Sequence, residues 1–238
     1  MVLARWRLRH AALRLAAHGW PVTPGAWLRS GRFDCGRPGC LTTACHPALE
    51  GWEPAASADP DRVTRWWRYA PHGVLLPTGV AFDVLEVSAS LGTLAIGSRG
   101  WRGAIRGPVA TVPTGHWMFF VRTGEPLLPE LAGRLDVLRH ARGSWVPAPP
   151  TPVAGGAARW NIPPAAVGWR LPDGYAVQRL LAGCVPGPAA APSPGHPGAP
   201  GPDGVPGRGG VPGRGGVPGR GGVPGRGGGA GPAAVPTR

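Results

Sequence analysis

The sharpest constraint on this chain is a break in its residue usage. Patterned sequence runs from about Leu8 to Cys184, after which proline, glycine and alanine take over as far as Arg238. The chain holds 41 Gly and 32 Pro among 238 residues. These two residue types interrupt helices and strands, so any packed core has to come from the part before the break. The reading is an ordered domain over residues 1–184 and a disordered, low-complexity tail over residues 185–238. A body of that size suffices for one core.

The tail contains four VPGRGG copies between Val205 and Gly228, and glycine recurs at every third position from Gly195 to Gly231. Three readings stay open. One is a disordered spacer, and another is a weak nucleic-acid tether through the Arg-Gly-Gly units at Arg208, Arg214, Arg220 and Arg226. The third is a collagen-like stalk, weakened by the extra glycine of each Gly-Arg-Gly triplet.

Every one of the 25 basic residues is arginine, against 12 acids, for a net charge of +13. Cut at 184, the body carries +9 and the tail +4. The absence of lysine reads as GC-rich coding as much as selection for a polyanion, so charge alone does not assign a nucleic-acid partner. No apolar run approaches the roughly 18 residues of a spanning helix, which argues against membrane insertion. Four cysteines, three of them clustered, are too few for a disulfide scaffold and favour a reducing, cytoplasmic setting. The Arg-rich start has the look of a transit peptide, but Leu8, Ala11, Ala12, Leu15 and Ala16 make a helical stripe that Gly19 ends. An ordinary first helix is the preferred reading.

The rest of the body alternates strands with helices. One short strand is expected within Trp20 to Leu28, and a helix from Asp59-Pro60-Asp61 through Tyr69. Strands are expected at Gly73 to Pro77 and Val80 to Val87, on either side of a Thr78-Gly79 turn. A helix or loop spans Leu91 to Arg106, and a hairpin joins Val109–Val112 to His116–Val121 across Pro113-Thr114-Gly115. Leu127 to Leu138 reads as a helix running into a strand, with a last strand at Trp145 to Pro147. The mixture predicts an α+β fold.

Three groups could carry chemistry. In the strand FDVLEVS, side-chain alternation puts Glu86 and Ser88 on one face and Asp83 on the other. Two acids at such a spacing can hold divalent ions, but here the second position is a neutral hydroxyl, and an ordinary strand edge is the alternative. Thr114-Gly115-His116 sets an imidazole where a turn enters a strand, within reach of a phosphate or simply at the surface. Asp136 precedes a basic group, Arg139, His140 and Arg142, suited to an anion or to solvent. Finally, Cys35, Cys40, Cys45 and His46 are either a zinc site or free thiols. Adjacent Cys45 and His46 strain to reach one ion, and a closed site would add roughly 10 kcal/mol or more to folding.

Read in order, HGWPV, CGRPGCLTTACHP, DPDRVTRWW, PTGVAFDVLEV, PTGHWMFFV and LDVLRHARGSWVPAPP resemble the bifunctional primase-polymerase N-terminal domain family of the archaeo-eukaryotic primase superfamily. The likeness covers Ala11 to Pro150, with a weaker continuation to Leu181. It implies an RRM-like sheet joined to a further α/β unit, which binds a template and nucleoside triphosphates and extends a strand with two Mg or Mn ions. It implies Glu86 and Asp136 as catalytic metal ligands, Asp83 as a support, and Thr114, Gly115, His116 and Arg142 around the nucleotide. The family's Asp-x-Asp falls on Glu86-Val87-Ser88, its third acid on Asp136, and its nucleotide-contacting His on His116 or, alternatively, Trp117. In the family's Cys loop, Phe33 stands for the first Cys, Cys35, Cys40 and His46 match, and Cys45 is additional. The departures leave three outcomes open, catalysis retained, reduced or lost, and a non-catalytic nucleic-acid or nucleotide-binding module is the alternative. No Walker A sequence is present, so a helicase activity would have to come from a separate chain.

Overall fold

The computed structural model describes residues 2–103 and 105–185. The tail, with its VPGRGG repeats, lies outside the described residues. Helix α1 (Val2–Ala16) leads into strands β1 (Thr23–Gly25), β2 (Trp27–Arg29) and β3 (Arg32–Asp34), then helices α2 (Trp52–Ala55) and α3 (Pro60–Trp66). β4 (Gly73–Pro77) and β5 (Asp83–Ser88) follow, then α4 (Ala89–Gly97) and α5 (Arg99–Arg102). Next come β6 (Val109–Val112), β7 (His116–Val121), α6 (Pro129–Ala132), β8 (Val137–His140) and β9 (Trp145–Pro147). The order closes with β10 (Pro152–Val153), β11 (Gly156–Ala157), β12 (Arg159–Ile162), a 3-10 turn (Pro164–Val167) and α7 (Gly174–Cys184). The class is α+β, as the sequence predicts.

Local chemistry explains the better-defined boundaries. α1 buries Leu8, Ala12, Leu15 and Ala16, and Gly19 takes φ 75° just beyond it. Asp59 caps α3 by accepting a hydrogen bond from the Asp61 amide at 2.9 Å, with Pro60 in the first turn. That helix stops at Trp66, short of the expected Tyr69. The Trp20 to Leu28 stretch holds two strands rather than one: β1 pairs with β4, and β2 turns back on β3. The β6–β7 hairpin has its expected limits, with Gly115 at φ 85° in the turn.

Two antiparallel sheets organise the domain, one ordered β12-β6-β7-β5-β8 and the other β1-β4-β9. Alternation along β5 divides the core. Val84 joins Phe120, Met118, Val74, Val146, Trp67 and the α1 stripe in one apolar cluster. Leu85 and Val87 face the other way, against Leu91 and Ala95 of α4 and Val177 and Leu181 of α7. Burying a side chain of this size contributes about 1.5–3 kcal/mol, so each face of β5 is anchored independently.

The consecutive strands β4 and β5 belong to different sheets. Thr78 marks the crossing: its amide donates to Ser144 O at 3.0 Å and its hydroxyl to Ala141 O at 2.6 Å. Gly79 follows at φ 86°, and a Cβ there would stand 2.1 Å from the Arg142 amide nitrogen, so only glycine fits. No helix among the described residues is long and apolar enough to cross a membrane.

Candidate functional site

The register of the five-stranded sheet assembles a polar face from three strands. Ser88 stands opposite His116 of β7, while across β8 Glu86 stands opposite Leu138 and Val84 opposite His140. The Ser88 amide donates to Asp136 O at 3.1 Å, extending that pairing by one residue. Directly opposed residues share a face, so Glu86, Ser88, His116, Asp136 and His140 lie on one side of the sheet. Deeper along this face Val84, Met118 and Phe120 are buried, and the polar group forms where the face runs out to solvent.

Glu86 sits between two imidazoles. His116 Nδ1 lies 3.0 Å from Oε1 as an ion-pair contact, and His140 donates from Nε2 to Oε2 at 2.8 Å. On its other side His140 Nδ1 meets the Ser144 hydroxyl at 2.8 Å. The His140 hydrogen bond holds the Glu86 carboxyl below its ordinary range, against burial, with the His140 and His116 charges adding to the effect. Asp136 is engaged as fully: Ser88 donates to Oδ2 at 2.9 Å, and Arg134 reaches Oδ1 at 2.8 Å and Oδ2 at 2.9 Å. The Arg134 hydrogen bond leads in holding its carboxyl low, with Ser88 contributing.

The remaining expected residues separate. Asp83 is buried on the helix-covered face, where Oδ2 accepts from Arg139 Nη2 at 2.7 Å, Arg139 Nε at 3.1 Å and the Gly124 amide at 3.2 Å. Thr114 and Gly115 form the exposed turn ahead of His116, and the Gly115 carbonyl accepts from the Ala89 amide at 2.8 Å, tying the turn to the start of α4. Arg142 is exposed beside Gly79, in the loop between β8 and β9. The sequence reading did not single out His140 as a partner of Glu86, and it missed Ser144 and Arg134. The available signal was alternation, which puts residues 136, 138 and 140 on one face once β8 is extended beyond Leu138.

For a pair of divalent ions the donor set is a poor fit. Two carboxylates and one neutral hydroxyl are present, and each of the four carboxylate oxygens is already held by a protein donor. Magnesium sites in nucleotide-handling proteins need free carboxylate oxygens alongside phosphate.

A second cluster suits a softer ion. Cys35, Cys40 and His46 bring their ligand atoms within 4.8 Å of one another, the one such group of three among the described residues. His46 donates from Nδ1 to the Ala44 carbonyl at 2.7 Å, which leaves Nε2 directed at Cys40 Sγ, 3.4 Å away. This is the outer hydrogen bond that orients a metal-ligating imidazole. Burial pushes the Cys35 thiol up, but hydrogen bonds from Arg37 outweigh it and bring the net shift down, toward thiolate. Cys45 is outside the group, and burial pushes its thiol up to about 12. The four-residue set of the sequence reading therefore reduces to three, which could hold a metal with one position open.

A family model described as bifunctional DNA primase/polymerase, N-terminal, matches residues 12–173. A search of curated proteins found no match.

Proposed function

Because the chain belongs to the bifunctional DNA primase/polymerase N-terminal family, we propose that the polar face of the five-stranded sheet binds a nucleoside triphosphate beside a nucleic-acid template, with strand extension strongly reduced. The observation that carries this reading is the gathering of Glu86, Ser88, His116, Asp136 and His140 on one face. His116, half exposed at the rim, and the Ser88 hydroxyl suit phosphate oxygens, and Arg134 brings a guanidinium to the same face through its pair with Asp136. Ser88 stands where a second acid would complete a metal-binding pair. Missing a directly stabilising charge costs phosphoryl transfer on the order of 10²–10³ in rate. The Cys35, Cys40 and His46 cluster is proposed to hold one zinc ion that orders the loop between β3 and α2.

The test pairs binding with chemistry. Titration with a fluorescent nucleoside triphosphate should saturate, and His116→Ala should weaken it. Primer extension with magnesium or manganese should give the same low level for the natural chain, Glu86→Ala and Asp136→Ala. Vigorous extension lost in both variants would establish an active polymerase and overturn the reduced-catalysis reading. Absence of both nucleotide and template binding would overturn the reading altogether.

A further inference from the structure

Three strands across from Glu86, on the same face of the five-stranded sheet, Trp160 of β12 helps α1 and the 3-10 turn to line a cavity of about 280 Å³. Trp6, His10, Trp160 and Trp169 supply its aromatic surface, and Arg7 and Arg14 also line it. Its size lies at the small end of ligand pockets, suited to one flat ring system.

The aromatic groups are pre-arranged. Trp6 and His10 stack at 5.4 Å with planes 10° apart, yet Trp6 stays 60% exposed. His18 stacks on Trp169 at 3.6 Å and 9°. Trp169 itself holds φ 60°, in the left-handed region that bulky L-residues rarely adopt, directly after Gly168, also at 60°. Strained backbone of this kind points to a position whose side-chain direction matters. Trp20 meets Trp169 edge-on at 5.6 Å, bracing the indole from the core side.

The charge at this site has one sign. No carboxylate lines the cavity, and neither Arg7 nor Arg14 has an acidic partner among the described residues. The first acid of the chain is Asp34. Exposed π-faces flanked by uncompensated guanidinium groups match an unpaired base whose neighbouring phosphates are close by. A proline-rich peptide also favours aromatic grooves, but the cationic lining selects an anionic ligand over a neutral or Arg-bearing one.

We propose that this cavity is a second nucleic-acid site, one that captures an unpaired base of a single strand on Trp6 while Arg7 and Arg14 hold the flanking phosphates. This rests on the reading of the domain as one that handles nucleic acid, and it adds an anchoring point three strands away from Glu86 across the same sheet.

The test is anisotropy of a labelled oligo-dT against the full chain, beside an abasic oligonucleotide of equal length. Trp6→Ala should weaken oligo-dT binding on the order of tenfold and leave abasic binding unchanged. Trp6→Phe should restore most of the affinity. Arg7→Gln with Arg14→Gln should weaken both ligands and lower the salt slope by about 0.7 for each phosphate that is no longer neutralised. Nucleoside triphosphate affinity should be the same in Trp6→Ala as in the natural chain. Equal binding of the two oligonucleotides, indifference to Trp6→Ala, or displacement of oligo-dT by a neutral proline-rich peptide would each overturn the proposal. If oligo-dT binds but ignores all three pocket variants, the site proposal falls while the domain reading stands. If oligo-dT does not bind at all while triphosphate does, the template part of that reading falls too.

Discussion

Replacing Arg139 by methionine should cost this domain a large share of its stability while leaving ligand binding at the Glu86 face intact. Asp83 is 1% exposed, its Oδ2 accepts two bonds from Arg139, and its Oδ1 is buried with no partner. Arg139→Met therefore strands a carboxylate in the apolar layer beneath α4 and α7, with only the Gly124 amide left to it. Removing one partner of a buried pair costs about 3–5 kcal/mol. The Arg139 side chain is 23% exposed, so water softens the loss and the lower end, about 3 kcal/mol, is expected. For a domain of this size that lowers Tm by roughly 6–12 °C. In urea the midpoint should fall with an unchanged slope. The double variant Asp83→Leu with Arg139→Met should recover most of the stability, because no unpaired charge remains. A single variant within 1 kcal/mol of the natural chain (roughly the scale of a surface pair) would refute this reasoning. So would a double variant no more stable than Arg139→Met.

Glu86 should give a pH signature. Its carboxyl is held below the ordinary 4.5, so its stabilisation is fully present above that value and is lost as pH falls through the depressed value of the folded state. Urea midpoints of the natural chain and Glu86→Gln should differ above pH 4.5 and converge as the pH falls progressively below it. Ser88→Asp sets a third carboxylate beside Asp136: thermal melts should show a destabilised variant that manganese rescues, and primer extension should rise over the natural chain. Metal analysis of the purified protein should find zinc near one per chain, lost in Cys35→Ser and retained in Cys45→Ala. Gly92→Ala should destabilise by about 1–3 kcal/mol in denaturant melts, because its Cβ would lie 2.7 Å from the Trp117 ring.

Much of the fold was legible because local signals and tertiary demands agree. The hairpin of β6 and β7 combines β-branched residues with a Gly115 turn, and α3 has both a capping Asp59 and Pro60. Legibility failed where partners are remote. Thr23 to Arg29 splits into two strands because β1 pairs with distant β4, whereas β2 pairs locally with β3. Helix α7 went unanticipated behind a proline-rich run, although Asp173 caps it at the Ala176 amide and Val177 and Leu181 are spaced for one buried face. At the site, alternation was enough to pair Glu86 with Ser88. The two imidazoles gripping Glu86 come from β7 and β8, and only the register of a folded sheet brings them together.

Two of the chain's passages between its two sheets lie at neighbouring points, through Thr78 after β4 and through Ala141 to Ser144 after β8, and they are laced by the Thr78 bonds. Glu53 adds a stitch by accepting from the Gly143 amide at 3.0 Å. Ser144, on one passage, also touches His140. The two layers consequently cannot spread like the covers of a book without tugging on the imidazole that grips Glu86. Whatever wedges them apart acts on that carboxylate from a distance, and whatever tightens the seam steadies it.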